Sequence, residues 1–252
     1  PAQLNYPYFE DDRHATSAGL NGRTFDSGFT FSAWFYFKKF ADRYDGILGY
    51  SWDNLRIDSP GDGNLTMWFK QENGNFPTVE MNQWVNLAVT AGDGQVRFFK
   101  NGEQVSEVAM ADTTVTFPAN EQEVFNLGFF WGYAKQLKVW DTVLTEGELQ
   151  AEIAVAASTV NVPVHQWMLD EGIGSEMYDS GSASGAPFIN QRMVIWKHVN
   201  SPYEILLESE IMIRDAEKPL PGSEVVGSAD FNQDGINEVF LQGGNDAYFP
   251  DY

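Results

Sequence analysis

The 252-residue sequence contains no cysteine and only three histidines. The lack of cysteine excludes disulfide frameworks, cysteine-ligated zinc, iron–sulfur clusters and thiol catalysis. Basic residues are also scarce: 15 Lys and Arg face 36 Asp and Glu, for a formal net charge of −21. Without a basic face to displace counterions from phosphate, the sequence argues against nucleic-acid binding. No apolar run approaches the roughly 20 residues of a membrane span, so no membrane insertion is predicted.

The sequence is instead rich in acids and aromatics, with 8 Trp, 10 Tyr and 19 Phe. Such a charge makes multivalent cations natural partners. The acids are concentrated at one end, because the segment from Asn200 to Tyr252 carries eleven acids and two bases, a balance of 2 − 11 = −9. This tail is predicted either to form a separate acidic module or to hold cations. The chain begins at Pro1 rather than Met, which predicts a processed or excised fragment.

Most of the first 145 residues have the composition of β-strands. The run Phe29–Phe37 is β-branched and aromatic with partial alternation. Two further runs, Trp84–Thr90 and Gln95–Lys100, flank a Gly-containing segment and predict a hairpin, and Asn101-Gly102 predicts the next tight turn. Short strands with turn signals at this spacing favour a β-sandwich or barrel over βαβ units.

One helix is predicted over Leu144–Ile153. Thr145 is the expected N-cap, and Glu148 three residues later completes a capping-box signature. Leu149 and Ile153 are expected to supply the buried side. The three glutamates of this helix are interpreted as acids near the N-terminus and on a solvated face.

Several motifs in order resemble the laminin-G-like jelly rolls of the concanavalin A-like lectin/glucanase group. These motifs are Phe29–Phe37, Gln83–Thr90, Val96–Glu103, Phe125–Gly128, Gly132–Trp140 and the helix Leu144–Ile153. The resemblance implies an all-β fold, a jelly-roll sandwich of two antiparallel sheets with one short helix. We expect it to occupy residues 1–190.

The motif that usually opens this family lies after the helix. The segments His165–Gly174 and Tyr178–Ser182 resemble it, whereas the chain itself starts at the following strand. Three explanations stay open. The fold is circularly permuted, with its opening strand supplied by 163–170. Alternatively, a second, incomplete jelly roll begins there, or the segment completes a neighbouring copy by strand exchange and builds oligomers or fibres.

A calcium loop is predicted in the acidic tail. Oxygen ligands recur at alternate positions of this loop: Asp230, Asn232, Asp234, the Ile236 carbonyl and Glu238. Gly235 permits the sharp turn, and Leu241 at position 12 excludes an EF-hand. The loop resembles those of FG-GAP or VCBS-type repeats and of dockerins, so we expect residues 191–252 to form a small β-rich module with Ca²⁺ as a structural cofactor. The alternative is an acidic surface turn without metal.

A second acidic patch lies between two predicted strands and consists of Asp53, Asp58, Asp62 and Asn64. It is interpreted either as a cation site on one rim of the sandwich or as two turns separated by a short strand.

The aromatic residues divide into two groups by position. Those on strand motifs are predicted to lie in the core: Trp34, Trp84, Phe98 and Trp140. Those nearer loops are candidates for stacking on a sugar face or a peptide side chain: Tyr50, Trp52, Trp131 and Tyr133.

No paired carboxylates occur at the strand spacing that glucanases of this fold use, so no catalytic residue is predicted. We expect a non-catalytic, calcium-dependent binding or adhesion module that is secreted or displayed at the cell surface and recognises a glycan or peptide. The alternative is a structural subunit that assembles into homo-oligomers by strand exchange. A polysaccharide hydrolase or lyase is the third hypothesis, supported only by analogy of fold.

Overall fold

The computed structural model describes residues 6–9, 14–39, 45–50, 55–59, 65–70, 72–75, 79–117, 119, 125–128, 130–154, 162–171, 176–183, 185–190, 195–197, 224–229 and 238–242. The chain divides into two compact units. The larger extends over Leu4–Leu207, and the smaller contains the last two strands. Among the described residues, no helix has the length and apolar character needed to span a membrane.

Over the described residues, the larger unit is built on two antiparallel sheets of eight strands each, which confirms the predicted jelly-roll sandwich. Sheet A contains β1 (Tyr6–Phe9), β4 (Phe29–Lys39), β9 (Trp84–Gly92), β10 (Gln95–Lys100), β11 (Glu103–Ala109), β14 (Trp131–Trp140), β15 (His165–Trp167) and β18 (Ile195–Lys197). Its order is β11-β10-β9-β4-β14-β1-β18, with β15 also paired to β14.

Sheet B contains β2 (His14–Ser17), β5 (Asp45–Tyr50), β6 (Leu55–Ser59), β7 (Thr66–Phe69), β8 (Glu72–Asn75), β13 (Phe125–Gly128), β16 (Glu176–Met177) and β17 (Phe188–Asn190). Its order is β16-β17-β2-β13-β5-β6-β7-β8. A small ladder joins β3 (Thr24–Phe25) to β12 (Val115–Thr116).

Phenylalanines from the two sheets meet in the core. Odd-numbered residues of β4 from Phe29 to Phe37 are fully buried, as expected for one face of a pleated strand. The Phe29 ring lies 5.9 Å from that of Phe69, and the Phe31 ring lies 6.2 Å from that of Phe125. Because Phe69 and Phe125 belong to sheet B, this face of β4 is the interior of the sandwich.

The predicted hairpin and helix are both present. β9 and β10 pair around Asp93-Gly94, and Asp93 and Gly94 both have positive φ, at 51° and 73°. The helix α1 covers Glu146–Ala154. Its capping box forms as predicted, because the Thr145 backbone N–H donates to Glu148 at 2.7 Å and the Glu148 N–H donates to the Thr145 hydroxyl at 3.3 Å.

The helix packs on the outer face of sheet A, opposite the main core. Its Leu149 joins Ala88, Phe99, Trp140 and Leu144 in a second, smaller apolar cluster. The expectation that all three helical glutamates are solvated is wrong for Glu152. That side chain is 2% exposed and forms an ion pair of 3.1 Å with Lys138 of β14, whose side chain is 4% exposed.

The segment that resembles the family's opening motif begins with a strand of sheet A in this same chain, and the strands next to its second part belong to sheet B. β15 pairs with Leu137–Val139 of β14 in sheet A, and β16 and β17 extend sheet B next to β2. Asp179 lies between these strands, and its side chain is fully buried against His165, with 2.6 Å between Nδ1 and Oδ2.

The smaller unit contains an antiparallel pair, β19 (Glu224–Ala229) and β20 (Glu238–Gln242). Ala229 is paired with Glu238, so the segment 230–237 connects two adjacent strands.

Candidate functional site

One half of the outer face of sheet A is aromatic, whereas helix α1 covers the other half. The even-numbered residues of β4 point to this outer face, and Trp34 and Tyr36 among them are half-buried rather than buried. Trp34 lies opposite Lys135 of β14, and Tyr36 lies opposite Trp84 of β9. Directly opposed residues in an antiparallel pair share a face, so these side chains lie together.

The side chain of Lys135 is surrounded by three aromatic rings. Its ammonium nitrogen lies 4.2 Å from the ring centroid of Trp84 and 5.4 Å from each of those of Tyr6 and Trp34. These distances are typical of cation–π interactions. We call Tyr6, Trp34, Tyr36, Trp84 and Lys135 the aromatic platform; each of these side chains is partly exposed.

The rings of the aromatic platform also contact one another. Tyr6 is on β1 and Trp84 is on β9, with two strands between them, yet their ring centroids are 5.4 Å apart. Since neighbouring strands are spaced by about 4.8 Å, the two side chains must lean toward each other across the sheet. The Tyr36 ring lies 5.6 Å from that of Trp84 in an edge-to-face arrangement, which holds both rings in place.

Two buried tyrosines support the aromatic platform at one edge. The Tyr133 ring lies 5.8 Å from Tyr36 and 5.0 Å from Tyr8. The ammonium group of Lys38 lies 5.8 Å from both the Tyr8 and the Tyr133 ring centroids. This edge therefore carries a second lysine beside aromatic rings.

Burial changes the acid–base properties of two platform residues. It lowers the pKa of the Lys135 ammonium group from its ordinary value of 10.5, because a charged group loses hydration there. It also raises the pKa of the Tyr6 phenol above 10.0, with a smaller contribution from the nearby Asp170 carboxylate. The Tyr6 hydroxyl therefore stays protonated at neutral pH and remains a hydrogen-bond donor.

These groups provide the two kinds of contact that small-molecule sites combine. Partly exposed ring faces offer apolar area for stacking, and an ammonium group with a phenol offers convergent donors that fix orientation. An arrangement of this kind suits the binding of a small ligand.

Comparison with known families agrees with this architecture. The family model of the concanavalin A-like lectin/glucanases superfamily matches residues 10–150. The chain belongs to this superfamily. The match covers sheet A from β4 to β14 and includes three of the strands that carry the aromatic platform, but it ends before β15.

Solved structures resemble this superfamily member at low sequence identity. A candidate carbohydrate-binding protein from Bacteroides ovatus is 16% identical, with a TM-score of 0.63 over 81% of this chain and 63% of that protein. A heptameric pentraxin from Limulus polyphemus is 13% identical, with a TM-score of 0.49 over 77% of this chain and 98% of the pentraxin. The Bacteroides ovatus likeness shows a common fold, and this chain spans about two thirds of that protein's length. No curated protein sequence matches the chain.

Most of the predicted metal ligands lie outside the described residues. This applies to Asp53, Asp62 and Asn64 of the patch and to Asp230, Asn232, Asp234 and Ile236 of the tail loop, whereas Glu238 is the first residue of β20. Asp58 is a buried residue of β6 that forms an ion pair of 2.7 Å with Arg56. Burial raises the pKa of Asp58 despite this arginine. Over the described ranges, no three Asp, Glu or His side chains gather as metal ligands would.

The predicted ligand-contacting aromatics are placed differently from one another. Tyr50 is the last residue of β5, and Trp52 lies outside the described residues. Trp131 is partly exposed, with the Lys39 ammonium 4.7 Å from its ring centroid. Tyr133 is 1% exposed, so it supports the aromatic platform and has no free ring face for a ligand.

The prediction that all four strand aromatics belong to the core is wrong for Trp34 and Trp84. Phe98 is in the main core, and Trp140 is buried beneath the helix. Trp34 and Trp84 instead form the partly exposed outer face of sheet A. The prediction thus put two platform residues, Trp34 and Trp84, in the core. Strict alternation along β4 separates Trp34 and Tyr36 from the buried phenylalanines.

Proposed function

We propose that this protein is a non-catalytic carbohydrate-binding module whose ligand stacks on the aromatic platform of sheet A. The observation that carries the proposal is the set of three partly exposed aromatic rings around Lys135, with Tyr36 packed against one of them, on a face that the helix leaves uncovered. Sugar rings present flat C–H surfaces that stack on tryptophan and tyrosine, while their hydroxyls pair with a small number of polar groups. The Bacteroides ovatus protein that shares the fold is a candidate carbohydrate-binding protein.

A glycan array probed with the labelled protein tests this function. We expect Trp84→Ala to weaken glycan binding by about tenfold or more, since one lost stacking contact costs on the order of 1.4 kcal/mol. Trp34→Ala is expected to act in the same direction.

Trp68→Ala is the matched control. Trp68 is also partly exposed and also stacks on a cation, with the Arg56 guanidinium 5.3 Å from its ring, but it belongs to sheet B. Thermal melts identify any variant that is unfolded. Equal binding by the wild type and by folded Trp84→Ala and Trp34→Ala proteins would place the glycan elsewhere, and the absence of binding to any glycan would refute the function.

We further propose that the module acts outside the cell with Ca²⁺ held in the tail loop. The donor set fits a hard cation, because Asp230, Asn232, Asp234, Glu238 and the Ile236 carbonyl all offer oxygen. The pairing of Ala229 with Glu238 supports the proposal, since it brings together the two ends of the segment that carries these ligands. Bound Ca²⁺ would neutralise the crowded carboxylates and fix the loop.

Chelation is expected to lower the melting temperature. An ion bound only by the folded state at about 100 times its Kd stabilises that state by about 2.7 kcal/mol. Asp230→Ala and Asp234→Ala should each remove most of the chelator-induced shift seen by calorimetry. Asp246→Ala, an acid of the same tail outside the loop, is the control and should retain it. A shift that survives both loop substitutions would place the calcium elsewhere.

A further inference from the structure

The lysines beside the aromatic platform differ in their partners from other basic side chains among the described residues. Arg56, Lys70, Arg97 and Lys138 each form an ion pair with a carboxylate within 3.1 Å. For Lys38, Lys39 and Lys135, the contacts found among the described residues are to aromatic rings, and no described carboxylate lies within ion-pairing distance. In a chain with 36 acids and 15 bases, lysines that contact aromatic rings and have no acidic partner among the described residues are unexpected.

We propose that the aromatic platform selects glycans whose sugar rings carry an anionic group, and that Lys135 binds this group. The inference rests on the proposed function and names the class of ligand for the same face. The shared chemistry is a carboxylate or sulfate oxygen that accepts hydrogen bonds from the ammonium group while the adjoining ring stacks on Trp84 or Tyr36.

The position of Lys135 suits this role. Its ammonium group is held by the rings of Tyr6, Trp34 and Trp84 in a residue that is still partly exposed, so its donors are oriented before the ligand arrives. A partly buried charge with no counter-ion among the described residues gains more from an anion than a fully solvated one does, because much of its hydration is already lost. A neutral sugar would stack equally well but would leave this charge without a counter-ion.

The overall charge of −21 does not oppose binding of an anion at this face. At physiological ionic strength the Debye length is about 8 Å, so distant acids are largely screened and the nearest charges dominate. Among the described residues around the aromatic platform, these charges include Lys135 and Lys38, with Lys39 near the same end of β4. Asp170, which raises the pKa of Tyr6, is the one described acid with a recorded electrostatic effect on a platform residue.

Matched pairs of ligands that differ only in charge test the inference by calorimetry. The carboxylate arms are polygalacturonate against its methyl ester and sialyllactose against lactose, and the sulfate arm is dextran sulfate against dextran. We expect the anionic member of at least one pair to bind at least about tenfold more tightly, in line with the strength of charge-assisted hydrogen bonds. The arm that shows this preference identifies the anion.

Lys135→Met provides the decisive variant, because methionine keeps a long apolar stem between the rings while removing the charge. It should reduce the preference for the anionic member to about twofold or less, because the anionic member loses more affinity than the neutral one, whereas Lys135→Arg should keep the preference. Lys70→Met removes the same charge far from the aromatic platform and is expected to behave like the wild type.

The outcomes separate the two proposals. Equal affinity for both members of every pair that binds, or a preference that persists in Lys135→Met, would overturn the inference and leave the glycan-binding function intact. Failure of the folded protein to bind any member would overturn the inference, and failure to bind any glycan on the array as well would overturn both.

Discussion

Replacing Asp179 by alanine is expected to destabilise the larger unit by about 3–5 kcal/mol, a large part of a typical total of about 5–15 kcal/mol. The Asp179 carboxylate accepts hydrogen bonds from four groups: His165 Nδ1 at 2.6 Å and the backbone N–H groups of Gln166, Gly181 and Gly185 at 2.7–2.8 Å. Its side chain and that of His165 are fully buried. Alanine would leave these donors without an acceptor, and urea denaturation followed by tryptophan fluorescence measures the loss.

The same carboxylate predicts a loss of stability in acid. Burial raises its pKa, but the hydrogen bonds from His165, Gln166 and Gly181 outweigh burial and bring the pKa below its ordinary value of 3.8. A group whose pKa is lowered on folding stabilises the protein fully above its unfolded pKa and loses this contribution as the pH falls through the folded pKa. The part of the acid sensitivity that lies below about pH 4 should therefore be absent in Asp179→Ala.

Asp170→Ala is the matched control, because Asp170 is an exposed acid of the same segment. It should change the free energy of unfolding by less than about 0.5 kcal/mol. Equal free energies of unfolding for Asp179→Ala and this control would contradict the claim that the Asp179 carboxylate stabilises the larger unit. A variant that instead forms dimers by size-exclusion chromatography would indicate that β15 pairs between chains once Asp179 no longer holds it within one chain.

Replacing Lys138 by alanine is the second large effect, with an expected cost of about 3–5 kcal/mol. Lys138 and Glu152 are 4% and 2% exposed and 3.1 Å apart, so the change buries the Glu152 carboxylate without its lysine. The effect should concentrate on helix α1, because the Lys138–Glu152 pair joins the helix to β14 beside the contact of Leu149 with Trp140. Hydrogen exchange of the α1 amides reports this directly.

The double variant Lys138→Met with Glu152→Leu separates the buried charge from the packing. Replacing both members of a buried ion pair with apolar residues of similar size is often neutral or stabilising. We therefore expect the double variant to recover most of the stability that Lys138→Ala loses. A double variant as unstable as the single one would show that the hydrogen-bonded pair itself holds the helix.

The fold could be predicted from sequence because its signals are local. The aromatic alternation in Phe29–Phe37, the Asp93-Gly94 turn and the Thr145–Glu148 capping box each determine one element without reference to the rest of the chain. Their order then resembles the family whose model matches residues 10–150. The pairing of the strands in the sandwich could then be expected from these elements and their order.

The aromatic platform could not be predicted because its parts are far apart in sequence. Tyr6, Trp84 and Lys135 come from three strands that are separated along the chain and meet only through the order of sheet A. A tryptophan on a strand motif is most often a core residue, so Trp34 and Trp84 were assigned to the interior. The signal that distinguishes them is the lysine at position 38, since alternation puts Lys38 on the same face as Trp34 and Tyr36.

The burial of Glu152 in the helix could not be predicted either, because it too depends on a residue elsewhere in the chain. Its spacing from Glu148 predicts a solvated face, but Leu149 and Glu152 are the buried residues of α1. The lysine that β14 presents at Lys138 pairs with this buried glutamate, and this partner is fourteen residues earlier in the chain.

The most direct measurement is a titration of the ¹⁵N-labelled protein with the glycan that binds most tightly on the array, followed through the tryptophan indole N–H signals by NMR. Trp34→Phe and Trp84→Phe variants assign the two signals of interest. The account predicts large shifts for Trp34 and Trp84 and none for the buried Trp140 and Trp167 or for Trp68 on sheet B. Saturation of the protein with no change at Trp34 and Trp84 would contradict it.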